Sequence, residues 1–148
     1  MGLILKPLVF RRAWSLLDYA ALRRIRNSGC EFLTNFSGEI GLMRQLRFWS
    51  CRRNHEIYLL SYEDNDVGYV SFVHREGSAY VTIVVLPGYR GKGLGKLAID
   101  YLKQFYNPIV AEIFASNLRS IALFEKCGFH FSGAGGDKVV LRFPVFPN

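Results

Sequence analysis

The chain predicts an α/β domain, α+β-like in that a single mixed sheet of about six or seven strands carries about four helices. Two observations point there. Three short apolar runs separated by turn residues fill 56–86, the pattern of an antiparallel meander. After them an apolar strand, a helix and a second apolar strand follow in direct succession, and such a crossover makes the two strands parallel. All 148 residues read as one domain, with no linker, repeat or low-complexity stretch. Hydrophobic residues at 50% and aromatics at 15% suffice for a sizeable core.

Each element has its own signal. Leu3 to Val9 reads as a first strand, placed at an edge because Pro7 interrupts it. Ala13 to Asn27 reads as a helix with Leu17, Ala21, Leu22 and Ile25 on one face, and Asn27-Ser28-Gly29 ends it. Ser37 can cap a second helix, in which Ile40, Met43, Leu46, Arg47 and Trp49 recur at helical spacing. Glu56 to Tyr62, Val67 to His74 and Ala79 to Leu86 are the meander strands, joined by turns at Glu63-Asp64-Asn65-Asp66 and Glu76-Gly77-Ser78. The helix Leu94 to Tyr106 places Leu94, Leu97, Ala98, Tyr101, Leu102 and Phe105 on one stripe, and Asn107-Pro108 stops it. Ile109 to Ala115 is an apolar strand broken by Glu112 and expected to be buried on both faces. Asn117 starts the last long helix and Gly128 sits at its C-terminal cap. Phe129 to Ser132 pairs with Lys138 to Val145 across a loop at 133–137.

The richest segment runs from Ile83 to Lys96. An apolar strand enters a turn containing Gly91, Gly93 and Gly95, and the turn opens into a helix. Alternate glycines let backbone N–H groups close on an anion at a helix N-terminus, and Arg90, Lys92 and Lys96 add positive charge there. A dinucleotide fingerprint needs glycine where Lys96 stands. A Walker A loop needs Ser or Thr where Leu97 stands. What remains is R-x-x-G-x-G, read as Arg90, Gly93 and Gly95.

This spacing resembles the acetyl-CoA pyrophosphate loop of the GNAT superfamily of N-acetyltransferases. The block from Ala115-Ser116-Asn117 to Gly128-Phe129 resembles the family's later motif, S-N-x-x-(A/S)-x-x-(L/Y)-(Y/F)-x-x-x-G-F. The resemblance implies the GNAT fold, acetyl-CoA as cofactor and acetyl transfer to a primary amine. It implies that Arg90, Gly91, Lys92, Gly93, Leu94, Gly95 and Lys96 take the pyrophosphate. The strand Ile83-Val84-Val85 would splay from its parallel neighbour and offer main-chain hydrogen bonds to the pantetheine arm, with the Val85 N–H as oxyanion donor. Asn117 would touch the cofactor, or act as a plain helix cap. Phe124 takes the place at which many relatives carry a Tyr near the cofactor sulfur as general acid, and Phe cannot donate a proton. Tyr80, Tyr89 and Ser120 remain open as substitutes.

Glu112 stands out on its own chemistry. A carboxylate within an apolar strand is costly unless it meets a wet cleft or a partner. Alkylamines are mostly protonated at neutral pH, so a base that takes their proton is useful. Family members that acetylate protein N-termini carry a proposed base at the matching place. Pairing with one of the many arginines is the alternative.

The acceptor is less legible. Arg26-Asn27, with Gln45 and Trp49, resembles the branch that acetylates nucleotide-linked amino sugars, although Arg26 as surface charge and Trp49 as core serve equally. Two alternatives stand beside it: acetylation of protein N-terminal amines, and a non-catalytic acetyl-CoA sensor. The net charge of +7 suits either a solvated basic surface or an anionic partner. No nucleic-acid-binding signature is present, no apolar run approaches the ~20 residues of a membrane span, and no signal peptide is evident. Cys30, Cys51 and Cys127 are odd in number and, with three scattered histidines, show no metal spacing; a cytoplasmic setting is expected, with Cys127 a buried small hydrophobe. Monomer and homodimer are both open.

Overall fold

A computed structural model describes residues 8–28, 41, 43–44 and 55–144. Seven strands form one sheet: β1 (Val9–Arg12), β2 (His55–Tyr62), β3 (Asn65–Arg75), β4 (Ser78–Val85), β5 (Ile109–Phe114), β6 (His130–Gly135) and β7 (Lys138–Phe143). Their order across the sheet is β1-β2-β3-β4-β5-β7-β6. The helices among the described residues are α1 (Leu16–Asn27), α2 (Leu94–Leu102) and α3 (Leu118–Lys126), with a 3₁₀ turn at Pro87–Tyr89. The meander and the parallel pairing of β4 with β5 are as expected.

The sheet has two differently covered faces. On one, α2 and α3 bury the larger core, in which Leu60, Val70, Phe72, Val81, Ile99, Ile109, Ala111, Ile113, Phe124, Cys127 and Leu141 meet. On the other, α1 packs Leu22 and Ile25 against Ile57, Leu59, Tyr69 and Val84. Period-two alternation along each strand assigns every side chain to one of these faces.

Several expectations are corrected. The described first strand lies at Val9–Arg12 rather than Leu3 to Val9, while 1–7 lie outside the described residues. Its arginines hid it, because at the sheet edge only Phe10 turns inward, stacking on Tyr101 at 4.5 Å. Helix α1 begins at Leu16, since the Ser15 hydroxyl accepts from the Asp18 N–H and the Asp18 carboxylate accepts in turn from the Ser15 N–H. That box turns Asp18 inward, so the buried stripe is Asp18, Leu22, Ile25 and Arg26, and Leu17 is exposed.

The stripe of α2 is rotated likewise: Leu94, Ala98, Ile99 and Leu102 are buried, whereas Leu97, Tyr101 and Phe105 are largely exposed, Tyr101 keeping one side against Phe10. The helix ends at Leu102, not Tyr106, as its last turn tightens into the i→i−3 bonds Gln104 to Tyr101 and Phe105 to Leu102. The expected 133–137 loop is mostly strand, and β6 turns at Gly136-Asp137. The expected second helix lies outside the described residues except for helical backbone at Met43 and Arg44. Cys127 is a buried free thiol, and burial pushes its pKa up.

Candidate active site

The parallel pair is joined at only two positions, Ala79↔Ile109 and Tyr80↔Val110. Beyond them β4 stays on β3 as far as Val85, and β5 stays on β7 as far as Phe114. The two strands therefore part into a V. Hydrogen-bonding direction alternates along a strand. The Ala79 N–H donates to Pro108 on the β5 side at 3.0 Å, and the Leu86 N–H donates to Val67 on the β3 side at 2.8 Å. Counting between these anchors, the peptide groups of Ile83 and Val85 face the V. Val84 turns toward β3, so of the three residues expected to offer main-chain bonds only two can do so here.

Gly68 explains how β4 leans this way. A Cβ on Gly68 would lie 2.4 Å from the Val84 carbonyl oxygen and 3.3 Å from Val85 Cα. Only glycine permits β3 and β4 to approach so closely beside the mouth of the V. No sequence motif marked it; a glycine inside a strand pattern was the available signal.

The glycine-rich turn follows the end of β4. Gly91 (φ 75°) and Gly93 (φ 78°) occupy the left-handed region. Gly93 is the N-cap of α2 without a side-chain cap, and the first intrahelical bond joins the Leu97 N–H to the Gly93 carbonyl. The N–H groups of Leu94, Gly95 and Lys96 thus have no acceptor within the helix. Gly95 serves a further purpose: its added Cβ would lie 2.9 Å from Leu123 Cδ2, so it lets α2 approach α3.

The cations divide their work. Arg90 Nε donates to the Val85 carbonyl at 2.9 Å, fixing the turn to the strand end. Lys92 lies 5.3 Å from the Tyr89 ring centroid. Lys96 binds Asp100 at 2.5 Å, and that hydrogen bond raises the Lys96 pKa. Together these residues can receive a diphosphate: unsatisfied amides, left-handed glycines and positive charge meet where the V opens.

On the facing strand, Glu112 shares the α1-side face of the sheet with Val110 and Phe114. It is half-buried rather than sealed on both faces, and Arg75 Nη2 lies 3.5 Å from its Oε1. The arginine pairing weighed in the sequence is thus present, and Arg75 is a site residue that sequence reasoning missed. Register places Arg142 (opposite Val110) and Lys138 (opposite Phe114) on the same face, with His130 opposite Arg142. Glu112 is the only acidic residue of β5 and β7.

The remaining candidates are scattered. Asn117 caps α3, its side-chain oxygen accepting from the Ser120 N–H at 3.3 Å. Phe124 is 6% exposed and edge-on to Phe129 at 4.9 Å, within the core. Arg26 is buried at the end of α1, donates to Asn27 Oδ1 at 3.2 Å, and its charge acts on the buried Tyr69, which pairs with Val84. Gln45 and Trp49 lie outside the described residues.

A model of the acetyltransferase (GNAT) family matches residues 16–129, spanning the V, the turn and both motif helices. The chain belongs to the GNAT acetyltransferase family. As a GNAT member it is an acyltransferase that takes acetyl-CoA as donor. No curated protein matches. Among solved structures, an acetyltransferase from Thermus thermophilus is 19% identical with a TM-score of 0.79, over 95% of this chain and 99% of that one. Ribosomal-protein-alanine N-acetyltransferase from Brucella melitensis is 23% identical with a TM-score of 0.71, over 91% and 98%. Spermidine N-acetyltransferase from Vibrio cholerae, in complex with CoA and spermine, is 17% identical with a TM-score of 0.71, over 91% and 92%. At these identities the likeness is one of fold.

Proposed function

We propose that this GNAT protein, as one domain over residues 1–148, acetylates the primary amine of an anionic small molecule, with a nucleotide-linked amino sugar as the leading candidate. The observation that carries the reading is the setting of Glu112: a half-buried carboxylate of β5, paired with Arg75, on a sheet face that also carries Arg142 and Lys138 on β7 and His130 on β6. A carboxylate suits an ammonium group, and a basic rim suits phosphate or carboxylate elsewhere on the same molecule.

Acetyl-CoA supplies the acetyl group as a thioester whose sulfur leaves. The amides of Gly91 to Lys96 hold its diphosphate, with Arg90 and Lys92 beside them. Ile83 offers main-chain bonds to the arm, and the Val85 N–H donates to the carbonyl oxygen as negative charge develops there. Glu112 takes the proton from the acceptor ammonium, directly or through water, and frees the nitrogen lone pair to attack. Phe124, in the Tyr position, has no hydroxyl to give the sulfur a proton. A thiol with a pKa of about 8.5 is a leaving group that needs no strong acid, so the second proton that the nitrogen loses on forming the amide can pass through solvent to the departing thiolate. Asn117 sets the start of α3 beside this site. Arg26, Asn27, Gln45 and Trp49 are assigned to the acceptor side. The setting is the reducing cytoplasm, in keeping with an odd number of cysteines.

A thiol-release assay with acetyl-CoA and an amine panel tests this. Turnover of a nucleotide-linked amino sugar, with none of spermidine or of peptides bearing a free N-terminal alanine, is expected. Peptide turnover favours the N-terminal alternative, which the Brucella fold neighbour and Glu112 support. Binding of acetyl-CoA with no turnover of any amine favours the sensor. Glu112→Gln should slow the reaction more at low pH than at high pH, and an unchanged pH profile removes Glu112 from the mechanism.

A further inference from the structure

Just above the two positions that join β4 to β5, one side chain crosses β4. Arg75 closes β3 opposite Ser78, across the Glu76-Gly77 turn. Its guanidinium lies 3.9 Å from the centroid of the Tyr80 ring, and its Nη2 reaches Glu112 Oε1 at 3.5 Å. Three strands thus contribute to one stack: β3 the cation, β4 the aromatic platform, β5 the carboxylate. The adjacent His74 points to the opposite face and binds Glu56 at 2.6 Å, so it does not compete for Glu112. Arg142, Lys138 and His130 are the other titrating or charged groups of β7 and β6 on this face.

We propose that Arg75 is a positioning residue for acetyl transfer, which holds one oxygen of Glu112 and leaves the other, Oε2, directed at the amine. The proposal rests on Glu112 being the base. A planar guanidinium suits the task, because it can lie flat on Tyr80 while an edge N–H meets the carboxylate. Arg75 and Glu112 side chains are 52% and 30% exposed, so solvent screens the pair and it contributes little to folding. Its consequence lies in geometry: displacement of a reacting group by 1 Å can cost about 10²-fold in rate.

The test is a double-mutant cycle in kcat at saturating acetyl-CoA and acceptor, using Arg75→Gln, Glu112→Gln and both together. Arg75→Gln should lower kcat by about tenfold, with the acetyl-CoA KM and the melting temperature unchanged. Arg75→Lys should recover part of the loss. In the Glu112→Gln background Arg75→Gln should cost nothing more. Tyr80→Phe should keep the rate, and Tyr80→Ala should reproduce the Arg75→Gln loss by removing the platform from the other side. Full kcat in Arg75→Gln, or an equal loss in both backgrounds, overturns the proposal while leaving Glu112 as base. Unchanged kcat in Glu112→Gln overturns the base assignment and Arg75 with it.

Discussion

Gly68→Ala probes the construction of the V most sharply. The added methyl would meet the Val84 carbonyl oxygen at 2.4 Å, where real Cβ contacts stay beyond 3.0 Å, so the strands must separate by at least about 0.6 Å. The obstacle is backbone, and no rotamer change relieves it. Gly68 is not in the left-handed region, so the cost is packing and not dihedral strain. Overpacking of this kind costs roughly 1–3 kcal/mol. For a chain of this length that is a fall in melting temperature of about 3–9 °C. Displacement of β4 toward β5 narrows the V and shifts Val85. A donor displaced by that much loses most of its effect, so kcat should fall by about 10–100-fold while the protein stays folded. Thermal melts and thiol-release kinetics on the one variant give both numbers. A Gly68→Ala protein with native melting temperature and native kcat refutes the account of how the V is opened.

Other variants separate backbone from space and charge. Gly93→Ala meets no atom within 4 Å, so its cost is the left-handed φ alone, on the order of 1–2 kcal/mol; calorimetry should show acetyl-CoA affinity reduced several-fold as the turn relaxes, and unchanged affinity counts against the turn as the diphosphate site. Burial pushes the Asp18 carboxyl up, but the hydrogen bonds from Arg11 and from the Trp14 and Ser15 N–H groups outweigh it and hold Asp18 well below the ordinary carboxylate range. In Glu56, burial is likewise outweighed by hydrogen bonds from His74, Tyr106 and Tyr58. Depressed folded-state pKa values mean stability that is full above about pH 5 and is lost as pH falls, so acid unfolding should be shallower in Asp18→Asn than in the parent; equal slopes contradict this. If the acceptor is anionic, KM for it should rise with ionic strength and with Arg142→Gln, whereas KM for a neutral amine should not. Equal effects on both amines remove the basic rim from recognition.

What could be read from the sequence was what short-range chemistry encodes. The Arg90–Lys96 turn announced its backbone through its glycines, and Asn117 and Gly128 announced the ends of α3. The meander followed from alternation and turn residues. Periodicity alone does not fix a helix face where tertiary partners choose among apolar residues: Leu17 and Leu97 face outward because Asp18 is claimed by the capping box and Ile99 by the core. Gly95 looked like part of an anion cradle and also proves to be a contact point for Leu123, a partner on the next helix that no local pattern reveals. Arg75 was invisible for the same reason, since its place depends on β3 and β5 lying on either side of β4. Glu112 was conspicuous as a charge in an apolar strand, yet only the register of β7 shows how basic its surroundings are.

The most direct measurement follows backbone amide chemical shifts by NMR as acetyl-CoA is added to the intact protein. The amides of Ile83, Val85 and Gly91 to Lys96 should move together and saturate at one stoichiometric equivalent, while Thr82 and Val84, which face β3, should move far less. Saturable binding that leaves Val85 and the α2 N-terminus undisturbed would place the thioester elsewhere and contradict the site described for it.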